Sequence, residues 1–186
     1  MKLYIKNMVC NRCKMVVKSE LEKAGLEPVS VELGEVQVKE DTIDGVKDQL
    51  LESLQSLGFD LIDDKRSRII EKIKNVIIDQ VHHHDNHAKN NLSDVLSAEL
   101  HYDYNYLSNL FSEVEGTTIE KYFIAQKIEK VKELLVYDEL TLSEIAFRLN
   151  YSSVAYLSNQ FKKVTGLTPS HFRQVGRNKR KTLDEV

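Results

Sequence analysis

The segment YLSNLFSEVEGTTIEKYF, starting at Tyr106, lies over YLSNQFKKVTGLTPSHFR, starting at Tyr156, at an offset of fifty residues. Leu107/Leu157, Ser108/Ser158, Asn109/Asn159, Phe111/Phe161, Val114/Val164, Gly116/Gly166, Thr118/Thr168 and Tyr122/Phe172 pair off, and upstream LSDVLSAEL corresponds to LSEIAFRL if one residue is shifted at the turn. A chain that carries two copies of one unit must fold so that each copy finds the same kind of core.

Each copy reads as a helix, a tight turn and a second helix. Asn91 and Thr141 stand where N-caps of the first helices belong, and Thr141 with Glu144 has capping-box spacing. Asp103, and Ser152 or Ser153, are placed to cap the second helices, which stop at Gly116 and Gly166. Leu107, Phe111, Leu157 and Phe161 then face the core, leaving Asn105, Ser108, Asn109 and Ser112 outward as a small, polar face that suits a DNA major groove. Between the copies, Ile124, Ile128, Val131 and Leu135 mark one helix from Ile119 to Val136. At 1.5 Å per residue it spans about 27 Å, enough to hold two recognition helices about 34 Å apart, so that a monomer reads two successive grooves.

The formal charge of −3 hides a division along the chain. Residues 1–64 carry 8 Lys/Arg against 13 Asp/Glu; residues 89–140 carry 5 against 10, whereas residues 141–186 carry 8 against 3. Phosphate binding needs a local basic surface, which lies at the C-terminal end, and the second copy is expected to supply more of the affinity. The absence of a long apolar run and of a signal-peptide pattern predicts a cytoplasmic protein without membrane contact.

Residues 2–64 have a different grammar. KLYIKN, Cys13 to Ala24, PVSVEL, EVQVKE, Thr42 to Leu57 and FDLIDD read in the order βαββαβ, with Val29, Val31, Val36 and Val38 alternating as in a half-buried hairpin. Ile43, Val46, Leu50, Leu54 and Leu57 keep helical spacing up to Gly58. Two such halves predict a ferredoxin-like sandwich. After the polar DDKRSR, Ile69, Ile70, Ile73, Val76, Ile77 and Val81 form one helical stripe, followed by HHHDNHAKNN as a loop. The expected fold is therefore α+β: an N-terminal ferredoxin-like domain at 1–64 and, at 65–186, an all-α domain with two helix-turn-helix units joined by a long helix.

The stretch TLSEIAFRLNYSSVAYLSNQFKKVTGLTPSHFR resembles the second helix-turn-helix of AraC/XylS-type regulators, and the resemblance extends over roughly residues 68–175, including the long connecting helix and the extra residue in the second turn. It implies a bacterial DNA-binding transcription regulator. By that resemblance Asn105, Ser108 and Asn109 in the first copy, and Val154, Ala155, Ser158 and Asn159 in the second, meet base edges, while Lys162 and Lys163 sit at phosphates. Promoter DNA and RNA polymerase are the implied partners, with a homodimer left open. Many relatives carry Arg where Asn109 and Asn159 stand, and a basic residue where Glu113 stands; the replacement points to asparagine-to-adenine contacts or to weaker specificity.

The only cysteines form Met8-Val9-Cys10-Asn11-Arg12-Cys13 between the first strand and first helix. This resembles the MxCxxC loop of heavy-metal-associated domains, as does Phe59 after Gly58, although Asn7 stands where that family usually has glycine. Two thiolates at a helix N-terminus suit a soft ion, so Cys10 and Cys13 are candidate ligands for Cu(I) or Zn2+. A fold kept for partner contacts or dimerisation with idle cysteines, and a redox switch, are the other readings. His82, His83, His84 and His87 are read as capping the end of a helix rather than binding metal. Tyr106 is read as a packing residue beside Tyr102 and Tyr104 that flank the turn. No P-loop, nucleophile elbow or paired acid-base constellation is present, so an enzyme is not expected. A metal carrier with a helical appendage is the alternative function, though it leaves the duplicated unit without a use.

Overall fold

The structure, a computed structural model, describes residues 1–62, 64–83, 91–137 and 139–175. It divides into two compact units, Met1–Asn75 and Val76–Val186. Among the described residues no helix is long and apolar enough to cross a membrane.

The first unit runs β1 (Lys2–Lys6), α1 (Asn11–Lys23), β2 (Pro28–Glu32), β3 (Glu35–Val38), α2 (Lys47–Ser56), β4 (Asp60–Leu61) and the first turns of α3 (Lys65–Ile78). The four strands form an antiparallel sheet in the order β2-β3-β1-β4. Strand alternation sorts the side chains. Leu3, Ile5, Val36 and Val38 are buried in one cluster with Val17 and Leu21 of α1 and Leu50 and Leu54 of α2, so both helices lie on that face. Tyr4 points the other way, and α3 meets it there. The Arg68 guanidinium lies 4.4 Å from the Tyr4 ring centroid, and Lys72 reaches Glu35 at 3.4 Å. The Asn75 amide comes so close to Gly34 (φ +77°) that a Cβ on that residue would stand 2.4 Å from its nitrogen. These contacts carry the unit past the polar segment after residue 64, where the periodicity change alone would divide the chain.

Two local expectations are corrected. Val29 is 64% exposed rather than half-buried, because the β2–β3 register shifts between Pro28 and Ser30 and the bulge takes Val29 out of the alternation. Helix α2 begins at Lys47, not Thr42. The Thr42 hydroxyl accepts the Asp44 N–H at 3.1 Å, and this local turn competes with helix.

The second unit contains the end of α3, a π-helical turn at Asp79–His83, then α4 (Leu92–Leu100), α5 (Tyr104–Glu115), α6 (Ile119–Tyr137), α7 (Leu142–Arg148), α8 (Val154–Thr165) and α9 (Pro169–Val175). Helix α6 is 19 residues, about 28 Å, and serves both repeats. Its Ile128, Val131 and Leu135 join Ile145, Leu157, Phe161 and Phe172 in one core. Nearer its start, Tyr122 meets Phe111 in a tilted contact with ring centroids 5.6 Å apart, and Phe172 meets Phe161 edge-on at 5.5 Å. Buried on several sides, α6 also hides polar groups, and these are paired. Gln126 donates to the Tyr122 hydroxyl at 3.0 Å and meets His82 Nε2 at 3.1 Å, and Lys132 pairs with Glu129. His82 thus contacts a side chain of α6. The side chain of His83, and His84 and His87 altogether, lie outside the described residues.

Candidate nucleic-acid interface and thiol pair

The two helix-turn-helix units are built by the same local chemistry. Asp103 accepts the N–H groups of Asn105 (2.9 Å) and Tyr106 (3.4 Å) at the start of α5. At the start of α8 it is Ser153, not Ser152, that accepts the Tyr156 N–H at 3.1 Å. Thr141 and Glu144 form a complete capping box on α7. Asn91 occupies the N-cap of α4, but its side chain accepts no backbone N–H; it donates to Asp94 at 3.4 Å instead. Gly116 (φ +66°) and Gly166 (φ +78°) end α5 and α8 in the left-handed conformation.

The turns differ by one residue, and the difference is absorbed. In the first unit the left-handed residue is His101 (φ +57°), two before the Asp103 cap; in the second it is Asn150 (φ +52°), three before Ser153. The stretch from Leu142 to Leu149 is one residue shorter than Leu92–Leu100, so the offset returns to fifty at the second helix.

Leu107, Phe111, Leu157 and Phe161 are fully buried. Asn105, Asn109, Ala155, Asn159, Lys162 and Lys163 are exposed, with Ser108, Ser158 and Val154 half-buried. On each helix the exposed candidates fall away from the core, whereas Val154 is packed against the core cluster at the start of α8. The two faces differ in charge. Ser112, Glu113, Glu115 and Glu120 of the first helix-turn-helix unit correspond in sequence to Lys162, Lys163, Thr165 and Ser170 of the second. Glu120 accepts the Tyr104 hydroxyl, a bond that holds this carboxyl below its ordinary range and, together with burial, pushes the Tyr104 phenol up.

Tyr106 is not a packing residue. It is 44% exposed, and its counterpart Tyr156 is 54% exposed. Each leans on a tyrosine of the preceding turn: Tyr102 at 5.3 Å and Tyr151 at 6.1 Å between ring centroids. Tyr151 is buried, donates its hydroxyl to Gln160 at 2.8 Å, and is capped by the Lys127 ammonium 3.8 Å from its ring centroid. Sequence reasoning missed Lys127, since nothing in the α6 pattern tells a solvated lysine from one laid over an aromatic ring.

Burial pushes the Lys127 ammonium down from 10.5 to about 8. The folded value lies below the unfolded one. Below about pH 8 both states carry the charge and the desolvation cost is present in full; as pH rises from about 8 towards 10.5 the folded chain alone sheds the proton, and stability rises. Wild type should therefore gain on Lys127→Met in urea unfolding between about pH 8 and about pH 10. A difference that stays flat across that interval rules out the burial cost.

In the N-terminal unit, Met1–Asn75, Cys10 is the N-cap of α1 and Cys13 lies in its first turn, with their Sγ atoms 3.4 Å apart and both half-exposed. Burial opposes ionisation of Cys10, but the Cys13 N–H and thiol, the Arg12 N–H and the Arg12 charge outweigh it and lower the pKa; burial, chiefly, raises that of Cys13. Met8 and Phe59 are buried in the sheet core, against which Cys13 packs. Asn7 takes the left-handed conformation (φ +68°) that glycine would otherwise supply, one that asparagine tolerates. Its amide donates to Gly58 O at 2.8 Å, and its N–H donates to the buried Glu71 of α3 at 3.3 Å. Among the described residues no group of three or more His, Cys, Asp or Glu could hold a metal ion. Two thiolates alone fit a soft, low-coordinate ion such as Cu(I); a tetrahedral Zn2+ site would need further ligands.

Residues 96–175 match the family model described as a helix-turn-helix domain, from within α4 to the end of α9. The xylose operon regulatory protein of Escherichia coli K12 is 36% identical over 63 residues, 34% of this chain and 16% of that protein, so the chain spans only a small part of the length of the curated relatives it matches. The C-terminal domain of AraT, a response regulator from Geobacillus stearothermophilus, shares the fold with a TM-score of 0.52 at 24% identity, over 64% of this chain and 95% of that one.

Proposed function

We propose that the AraC-type helix-turn-helix domain of the C-terminal region binds promoter DNA, and that the chain is a transcription regulator whose N-terminal domain senses a soft metal ion. The observation that carries the first part is the pair of capped helices, α5 and α8, each burying Leu and Phe and exposing a small polar face. In this reading Asn105, Ser108 and Asn109 enter one major groove, and Val154, Ala155, Ser158 and Asn159 the next, while Lys162 and Lys163 neutralise phosphates. The length of α6, about 28 Å, suits two recognition helices in successive grooves about 34 Å apart. RNA polymerase is the expected protein partner, and two units on one chain would let a monomer reach two grooves, with a homodimer left open.

The N-terminal part, residues 1–64 with the start of α3 packed on it, we read as a ferredoxin-like domain of the heavy-metal-associated kind. The strand order β2-β3-β1-β4 and the position of the CxxC at the start of α1 support this. Cys10 and Cys13 would hold Cu(I), which supplies no chemistry beyond two thiolate bonds. Binding titrated under reducing conditions should be lost in Cys10→Ser/Cys13→Ser; equal uptake by both proteins excludes the site.

The loop that carries the thiols is tied to α3 through the Asn7 N–H and Glu71. A sensor needs a ligand that favours one of two states, and this bond is where a change at the loop would first be felt outside it. Cu(I) should shift promoter affinity in the wild type by about fivefold or more, and by less in Glu71→Ala that still binds Cu(I) and DNA. The deciding experiment is binding of the full chain to genomic fragments at several salt concentrations, with and without Cu(I). Selective binding unaffected by Cu(I) would leave a regulator whose N-terminal domain serves partner contacts. No selective binding in any condition would favour the metal carrier.

A further inference from the structure

Tyr106 and Tyr156 are the third residues of α5 and α8, fifty apart, and both present half or nearly half of their surface to solvent. Exposing one large ring is ordinary; exposing the same ring at the same place in both copies, backed each time by a second tyrosine, is a built feature. The backing ring is itself fixed. Tyr151 is held by Gln160 at its hydroxyl and by Lys127 across its face, and it follows the left-handed Asn150 as Tyr102 follows the left-handed His101. Among the described residues neither the Tyr106 nor the Tyr156 hydroxyl makes a hydrogen bond.

Helical spacing says where these hydroxyls lie. Tyr156 and Lys163 stand at i and i+7, two turns apart on one flank of the exposed face beside the central Asn159, and Tyr106 and Glu113 repeat this beside Asn109. On a helix laid in a groove, the centre of the exposed face meets base edges and the flank meets the sugar-phosphate rim. A ring leaned against the turn loses few rotamers on binding, and its phenol O–H is a neutral donor suited to an anionic oxygen.

We propose that Tyr106 and Tyr156 are DNA-backbone contacts, each donating its hydroxyl to a phosphate oxygen at the rim of the groove its helix enters. This rests on the DNA-binding reading above. In the first unit, where Glu113 and Glu120 stand in place of Lys163 and Ser170, the tyrosine supplies on that flank a phosphate donor that brings no positive charge.

A neutral donor leaves a mark that a lysine does not. Losing a lysine–phosphate contact flattens the dependence of log affinity on log salt by about 0.9 per phosphate, whereas losing a phenol hydroxyl lowers affinity without changing that slope. The test compares the full-length chain with Tyr106→Phe, Tyr156→Phe and the double variant, which keep the rings and their packing. Binding is measured to a selected promoter fragment and to a random-sequence duplex over a salt series. The expected result is about tenfold weaker binding for each phenylalanine, on both duplexes, at an unchanged slope. Undiminished binding overturns the proposal, as does a loss confined to the promoter fragment, which would make the hydroxyls base contacts. If the wild type binds no duplex, the DNA-binding reading falls first and takes this one with it; if the wild type binds and the phenylalanine variants match it, only the tyrosine assignment falls.

Discussion

Phe161→Ala should destabilise the second unit by about 3–5 kcal/mol, read as a fall in the urea midpoint of the helical signal. Phe161 is fully buried, meets Phe172 edge-on at 5.5 Å, and sits in the core that joins α6, α7, α8 and α9. Truncation leaves a cavity beside Phe172 in a core shared by these four helices, and the loss grows with the part of that cavity that cannot close. Whole domains are stable by only about 5–15 kcal/mol, and a loss of this size takes a large share. Phe111→Ala should cost a similar amount, because Phe111 is equally buried and meets Tyr122 in a tilted contact at 5.6 Å. A cost below about 1 kcal/mol for Phe161→Ala would mean that α8 is not anchored through this side chain.

Lys162→Ala/Lys163→Ala should weaken DNA binding on every sequence and flatten the salt dependence by close to two units of slope, since each lysine releases about 0.9 of a counterion. Asn105→Ala/Asn109→Ala should instead lower affinity for the selected fragment while leaving random-sequence binding and the slope nearly unchanged. The contrast follows from the charges along the two helices. Lys162 and Lys163 are exposed in the last turns of α8, where α5 carries Ser112 and Glu113. If the lysine pair weakens binding no more than the asparagine pair does, the second unit is not the main source of affinity.

Much of the C-terminal architecture is legible in the residues because caps and stops are local. Thr141 with Glu144, Asp103, and the glycines at 116 and 166 act within a few residues of themselves, and the structure realises each of them. What could not be read depends on partners distant in sequence. Val29 keeps the alternation on paper, but a register shift against β3 is a property of two strands. The start of α3 reads as linker because its contacts with the sheet are made by Arg68, Lys72 and Asn75, which carry no apolar signal. The candidate site follows the same division: the exposed faces of α5 and α8 were evident from spacing, whereas the hold of Lys127 on Tyr151 and the tie from Asn7 to Glu71 were not.

The one-residue exchange between helix and turn sets the units' interchangeability. A residue removed from an α-helix rotates everything after it by about 100° and draws it back by 1.5 Å. In the second unit the loss before Asn150 is made good before Ser153, so the two chains are again in step from the caps onward. A chimera spliced at Asp103 and Ser153 would exchange recognition helices like cartridges, each entering a socket of the right phase. A splice placed inside the turns, between the left-handed residue and the cap, would inherit one adjustment without its counterpart and aim the helix elsewhere. The duplicated halves are therefore free to diverge in what they read while remaining bound to a common frame for how they present it.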